Sequence, residues 1–144
     1  MREDDLASVM EIEHLSFPYP WRRSTFIGEL DNYPFSIPFV IIHSQNQCLM
    51  GYIILWFIQK EVQISNFALH PDFRRKGVGE AVLRDILDKI KREGATEIFL
   101  EVRPSNHVAQ SLYEKLGFQI LGLRKNYYQS PVEDALIMGK KLKR

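Results

Sequence analysis

Apolar residues recur at spacings of three and four over Val82, Leu83, Ile86, Leu87 and Ile90. That is the period of a helix with one buried face. Gly94 follows, where a glycine ends a helix. Upstream, the apolar run over residues 64–69 reads as a strand. Between strand and helix lie a Pro71-Asp72 turn and the basic loop Arg74-Arg75-Lys76-Gly77-Val78-Gly79. Residues 70–94 thus order a strand end, a glycine-punctuated loop and a helix start, and the rest of the chain is read around them.

The pattern elsewhere predicts alternating helices and strands. Leu6, Val9, Met10 and Ile12 give an apolar stripe to a helix over residues 4–15, with Asp4 or Asp5 as its cap. Pro18 and Pro20 exclude regular helix from residues 16–23, a loop carrying Phe17, Tyr19 and Trp21. Ser24 is expected to cap a short helix running to Leu30, and Asn32-Tyr33-Pro34 is a turn. Strands are predicted over residues 35–43, 48–59 and 62–69. Their short connections make an antiparallel meander, and Pro38 places the first at an edge or a bend. A strand over 97–103 precedes a helix over 106–116, capped by Ser105 and stopped by Gly117. A strand over 119–125, a loop over 126–133 and a strand over 134–141 complete the chain. This is a mixed α/β sheet with helices on both faces, in a single domain over residues 1–144. A ligand is expected at the carboxyl ends of its central strands.

Composition narrows the function classes. The chain has 144 residues, 45% hydrophobic and 26% charged, as an ordinary globular domain does. A net charge of +1 argues against nucleic acid or an acidic membrane as partner. The basic tail Lys140, Lys141, Lys143 and Arg144 reads as a solvated end. Cys48 is the only cysteine, so no internal disulfide forms, and it reads as a buried, inert thiol. No apolar run is long enough to span a bilayer, and the acidic start lacks a signal pattern. A cytoplasmic monomer is expected.

Several side chains are candidates for chemistry. Ile98, Leu100 and Val102 alternate onto one face of their strand, and Phe99 and Glu101 onto the other. A carboxylate beside Phe99 would be partly desolvated and suits a general base; equally, Glu101 is a solvated carboxylate paired with Arg103. Tyr113 lies about two helical turns from Asn106, so both fall on one helix face. Its phenol suits protonation of a leaving thiolate, or it is core. Asn106 contacts a polar ligand or caps its helix. The histidines His14, His43, His70 and His107 show no metal-ligand spacing, and no metal is expected. Tyr127, Tyr128 and the Pro18–Trp21 segment with Tyr19 are minor core or the walls of a peptide groove.

The loop at Arg74 carries the sharpest signal. A helix start offers amide hydrogens and partial positive charge, and glycines let a phosphate approach the backbone. A Walker loop needs Lys-Ser or Lys-Thr, which is absent after Gly79. A dinucleotide fingerprint needs a third glycine where Val82 stands. An ordinary turn with solvated basic residues is the plain alternative. Arg74-Arg75-Lys76-Gly77-Val78-Gly79 resembles the R/Q-x-x-G-x-G/A pyrophosphate loop of GNAT acetyltransferases at every fixed position.

The resemblance extends along nearly the whole chain. Leu100-Glu101-Val102-Arg103-Pro104-Ser105-Asn106 is similar to the L-E-V-R-x-S-N run of N-terminal acetyltransferases, and Leu112-Tyr113-Glu114-Lys115-Leu116-Gly117-Phe118 to their L-Y-E-x-L-G-F. Phe17, Pro20-Trp21 and Thr25-Phe26, then Asn126-Tyr127-Tyr128 and Glu133-Asp134-Ala135, resemble the RimI-type, ribosomal-protein-alanine subgroup. The resemblance implies acetyl-CoA as donor and a protein N terminus as acceptor. It implies Glu101 as base, Tyr113 as acid and Asn106 as a coenzyme contact. Phe67, Ala68 and Leu69 would hold the pantetheine arm, and Arg74, Arg75, Lys76, Gly77, Val78, Gly79 and Glu80 the pyrophosphate. Tyr19, Trp21, Tyr127 and Tyr128 would flank the acceptor. The family starts with a strand before its first helix. Only Met1, Arg2 and Glu3 precede Asp4 here, so that strand is expected to be short or missing. Arg22 stands where many relatives carry a small polar residue. Three rival readings remain: a GNAT enzyme for a lysine side chain or small amine, a non-catalytic acyl-CoA-binding module, and a nucleic-acid-binding module using Arg74, Arg75 and Lys76.

Overall fold

The computed structural model describes residues 1–129 and 132–142. Ser130 and Pro131, in the expected loop, and Lys143 and Arg144, in the basic tail, lie outside the described residues. The elements run α1 (Leu6–Ser16), α2 (Arg23–Asp31), β1 (Ser36–Ile42), β2 (Leu49–Ile58), β3 (Glu61–Leu69), α3 (Val78–Arg92), β4 (Glu97–Val102), α4 (His107–Lys115), β5 (Gln119–Gln129) and β6 (Val132–Lys141). Short 3-10 turns at Glu3–Asp5 and Pro71–Phe73 precede α1 and follow β3. The hydrogen-bonded strand order is β1-β2-β3-β4-β6-β5. Chain contacts divide into two compact units, residues 1–57 with 65–82, and residues 58–64 with 83–144.

In the first unit, β1 pairs antiparallel with β2 from Ser36↔Trp56 to Ile42↔Leu49. Pro38 sits in this edge strand, where its missing N–H costs no ladder bond. Among the described residues the chain enters α1 through the Glu3–Asp5 turn, and the Met1 amine donates to Pro38 O at 2.9 Å. Leu6, Val9 and Ile12 of α1 and Phe26 of α2 pack with Tyr52, Ile54 and Ala68 into one buried cluster. Each fully buried side chain of this kind contributes about 1.5–3 kcal/mol. Ile53 and Leu55, on the opposite face of β2, are also buried, so both faces of this strand are covered. Gly51 permits the close approach of β2 and β3: a Cβ there would stand 2.4 Å from Ala68 O and 2.8 Å from a Leu69 methyl.

The cluster encloses a carboxylate. Glu13 of α1 is 1% exposed. It accepts from the Tyr52 hydroxyl, from Asn66 Nδ2 at 2.8 Å and from the Trp21 amide at 2.7 Å. Burial, with the Glu13 charge second, pushes the Tyr52 phenol well above its ordinary value. Glu29, buried on α2, accepts from Trp56 Nε1 at 3.1 Å.

In the second unit, α3 buries Leu83, Ile86, Leu87 and Ile90, the stripe read from the sequence. Its pairings are parallel for Glu61–Gln63 of β3 with Glu97–Phe99 of β4, and antiparallel for β4 with β6 and β5 with β6. Gly94 and Gly117 stand just past α3 and α4, as expected.

Local capping differs from expectation at three places. Asp5 precedes α1 without a side-chain cap; its carboxylate accepts from the Arg2 amide at 2.7 Å. α2 begins one residue before Ser24, with Arg22 at the cap position and no side-chain bond. α4 is capped by Asn106, whose Oδ1 accepts from the Ala109 amide, while Ser105 donates to Glu133 at 2.7 Å. A carboxylate from β6 outcompetes the cap for the Ser105 hydroxyl, which sequence spacing does not register. The loop expected over 126–133 is strand wherever it is described. A register shift between Arg124 and Tyr128 absorbs the irregularity. Cys48 is exposed rather than buried, because it lies just before β2 in the turn after β1.

Two outcomes test this account. An unfolded tyrosine ionises near pH 10, whereas folded Tyr52 and Tyr113 keep their protons beyond it. Folding stability is therefore indifferent to these protons below pH 10 and falls above it, by about 1.4 kcal/mol per pH unit per tyrosine. Denaturant melts at pH 8 and 11 should show the fall, and Tyr52→Phe should lessen it while lowering stability at pH 8 by about 2 kcal/mol. Gly51→Ala forces a methyl against backbone and should cost about 1–3 kcal/mol in the same melts.

Candidate active site

The first unit carries the loop that suits a diphosphate. After β3 the Pro71–Phe73 turn leads to Arg74, then to a backbone that turns left-handed at Arg75 (φ 61°) and Gly77 (φ 79°). The first ladder bond of α3 runs from the Ala81 amide to Gly77 O at 3.1 Å. The Val78 and Gly79 amides come before it, in the first helical turn, where N–H groups lie outside the intrahelical ladder and the dipole is positive. Space for a Cβ at Gly77 is open, with no atom within 4 Å, so the backbone there is approachable. These features fit a bound diphosphate. Arg75, Lys76 and Glu80 flank the same loop.

Arg74 has a second task. Its Nε donates to Leu69 O at 3.0 Å and its Nη2 to Ser16 Oγ at 2.9 Å. The Ser16 hydroxyl in turn donates to Ile12 O at 2.6 Å. The arginine therefore ties the loop to the end of β3 and to the last turn of α1. Phe67, Ala68 and Leu69 lie beyond the stretch of β3 that pairs with β4. Their backbone is fixed on the other side by β2, where the His70 amide donates to Met50 O at 2.8 Å.

The second unit gathers the acid–base candidates. Glu101 shares a face of β4 with Phe99, as read from the alternation, and its side chain is 14% exposed. Arg124 of β5 places Nε 3.3 Å from Glu101 Oε1, and the Tyr127 hydroxyl hydrogen-bonds the same carboxylate. Arg103 pairs with Glu133 at 3.3 Å and lies over the Tyr128 ring at 4.3 Å. The Ser105 hydroxyl bond, ahead of the Arg103 charge, holds Glu133 below its usual value. Tyr127 and Tyr128 meet edge to face, centroids 5.1 Å apart. Burial foremost, then the Glu101 charge, pushes Tyr128 up to about 12.

Tyr113 is 8% exposed and packs on Phe118 at 5.5 Å. Burial, with Tyr128 second, raises its phenol well above the ordinary value, so it keeps its proton through the neutral range. It is both core and a neutral O–H donor. Glu101, Tyr113, Tyr127 and Tyr128 thus form one electrostatically connected group.

Other sequence candidates fall differently. Asn106 uses Oδ1 for its cap; its amide hydrogens keep donor capacity. Trp21 is half-buried and packs on Phe26 at 5.2 Å, against the core cluster. Tyr19 is fully on the surface of its loop. Arg124 was not singled out from the sequence. Its only signal was a cation near Tyr127 and Tyr128, which is common on any strand. Among the described residues no group of three or more His, Cys, Asp or Glu is placed to hold a metal ion.

Comparison with known proteins gives the family and the fold. The pattern of the acetyltransferase (GNAT) family matches residues 6–118. A Bacillus subtilis protein, provisionally named a ribosomal protein bS18-alanine N-acetyltransferase, is 42% identical over 96% of this chain and 90% of its own. The Escherichia coli K12 protein named ribosomal protein bS18-alanine N-acetyltransferase is 33% identical over 94% of this chain and 90% of its own. The crystal structure of the Escherichia coli ribosomal-protein-S18-alanine N-acetyltransferase superposes with a TM-score of 0.89, covering all of this chain and 92% of the other at 32% identity. The chain therefore belongs to the GNAT family and is an acetyl-CoA-dependent N-acetyltransferase.

Proposed function

We propose that the acceptor is the N-terminal α-amine of a protein, with the alanine terminus of ribosomal protein bS18 as the preferred one. The supporting observation is the similarity to relatives so named over about nine-tenths of their length. The reading makes the whole chain one catalytic domain working in the cytoplasm on a protein chain end.

The residues divide the work. The 67–69 backbone and the Arg75–Gly79 loop, with Lys76 beside it, hold acetyl-CoA, and Arg74 keeps strand end and loop in register. Glu80 and the Asn106 amide are further contacts of the coenzyme. The coenzyme supplies the acetyl group as a thioester: a C–N bond to the acceptor forms as the C–S bond breaks. An α-amine ionises near pH 8, so at neutral pH it must shed a proton before it can attack. Glu101, directly or through a water, takes that proton. Tyr113, held neutral by burial, donates the proton that the departing thiolate needs. An amide hydrogen of the 67–69 strand polarises the carbonyl oxygen. Tyr127 and Tyr128 line the acceptor's path beside Glu101, and Tyr19 meets the acceptor from its exposed loop. Trp21, half-buried at the end of the same loop, flanks the acceptor with it.

Mass spectrometry after incubation with acetyl-CoA should find the added acetyl on the α-nitrogen of an alanine-starting bS18 peptide. A panel of lysine side chains, polyamines and aminoglycosides should stay unmodified; preference for any of these would overturn the acceptor assignment. With the peptide, Glu101→Gln should lower kcat about 10²–10⁴-fold. Tyr113→Phe should lower kcat about a hundredfold, and the wild-type rate should show no loss assignable to Tyr113 below pH 10. Gly77→Val places a branched side chain at φ 79°, which strains the backbone by about 1–2 kcal/mol and fills the open approach. It should raise the KM for acetyl-CoA about tenfold or more while leaving the peptide KM near its wild-type value.

A further inference from the structure

The Glu101 carboxylate is mostly removed from water, and a carboxylate so placed needs a cation or hydrogen-bond donors. Arg124 and Tyr127 provide both, and the backbone of β5 is bent to let them. On a regular strand, residues three apart point to opposite faces. Here Asn126 is left-handed (φ 52°), its amide is held by Asp134 Oδ1 at 2.8 Å, and the register with β6 shifts between Arg124 and Tyr128. The irregularity resets the alternation, so that Arg124 and Tyr127 reach one carboxylate. The arginine also lies 5.6 Å above the Tyr127 ring, at the outer reach of a cation–π contact. Yet its side chain is 58% exposed, so it swings into water at little cost.

We infer that Arg124 is the resident cation of Glu101, displaced by the α-ammonium group of the incoming acceptor. This rests on the reading of Glu101 as the base and of a protein N terminus as acceptor. The two cations present the same chemistry to the carboxylate: a positive charge with N–H donors. One leaves as the other arrives, so the buried carboxylate never lacks a counter-ion. Tyr127 keeps its hydrogen bond throughout and holds the carboxylate in place. Tyr128 also feels the Glu101 charge, and Arg103 beside it pairs with Glu133. Glu101 is released to take a proton only when an acceptor is seated. Arg124 is thus a positioning residue that sets how tightly a charged amine is held. An ammonium held too tightly lacks the lone pair for attack, so the competition also governs turnover.

The test uses the full chain with an alanine-starting bS18 peptide and saturating acetyl-CoA. In Arg124→Gln the peptide KM should fall about three- to fivefold, the worth of an exposed ion pair. kcat should fall with it at pH 7 and recover toward pH 9, where the free amine dominates; the KM for acetyl-CoA should not move. Arg124→Lys should restore both parameters toward wild type. Direct titration with CoA present should show Arg124→Gln binding the free-amine peptide about three- to fivefold more tightly, and its N-acetylated form no better than wild type does. An unchanged or raised peptide KM, or an equal gain for both peptides, overturns the displacement while leaving the acceptor assignment intact. Wild-type enzyme that leaves the peptide N terminus unmodified overturns the acceptor assignment, and the displacement falls with it.

Discussion

Glu13 sits with its charge sealed in an apolar cluster, and the first unit is arranged to make that tolerable. Removing a carboxylate from water costs several kcal/mol unless its oxygens find donors. Three donors arrive from three places: a phenol on β2, an amide side chain on β3 and a backbone N–H in the loop after α1. Because each partner is obligatory, the helix, the two strands and the loop cannot shift independently. The loop so fixed carries Tyr19, and the strand so fixed runs directly into the residues assigned to the coenzyme. One desolvated charge thereby gives definite geometry to segments that apolar packing alone would leave free to slide.

The second unit repeats the device at its chemical centre, with less burial. Glu101 has its arginine and phenol; Glu133 has its arginine and serine. Arg124 pairs with the first carboxylate and Arg103 with the second. The two pairs differ in accessibility. Arg103 is largely sheltered beneath Tyr128, whereas Arg124 reaches solvent. A sheltered ion pair and one open to solvent therefore stand side by side on neighbouring strands.

The relation to known acetyltransferases enters at two levels. The fold and the coenzyme chemistry follow from a family pattern that covers most of the chain. In the proposed function the choice of acceptor falls to much less: a proline-broken loop, a tyrosine pair and the bent β5. Such features tolerate change without disturbing the core, which is why acceptor choice is the property that relatives with a shared fold alter most easily.

What the residues settled on their own was everything governed by short-range rules. Apolar period placed the α3 stripe, alternation placed Glu101 opposite the buried face of β4, prolines broke the chain after α1, and Gly77 and Gly79 announced an approachable helix start. Family likeness in those same stretches then pointed to acetyl transfer. What only the folded chain decided was which polar group meets which. Ser105 lost its capping role to Glu133, Asn106 took it, and Glu101 drew a partner, Arg124, from another strand. The loop expected after Lys125 became bent strand for the same reason, an Asp134 carboxylate capturing the Asn126 amide. Period and propensity act over one or two turns of chain. The partner of a desolvated charge is chosen among groups brought together from distant segments, as Glu13 and Asn66 are across 53 positions, and no local pattern encodes that choice.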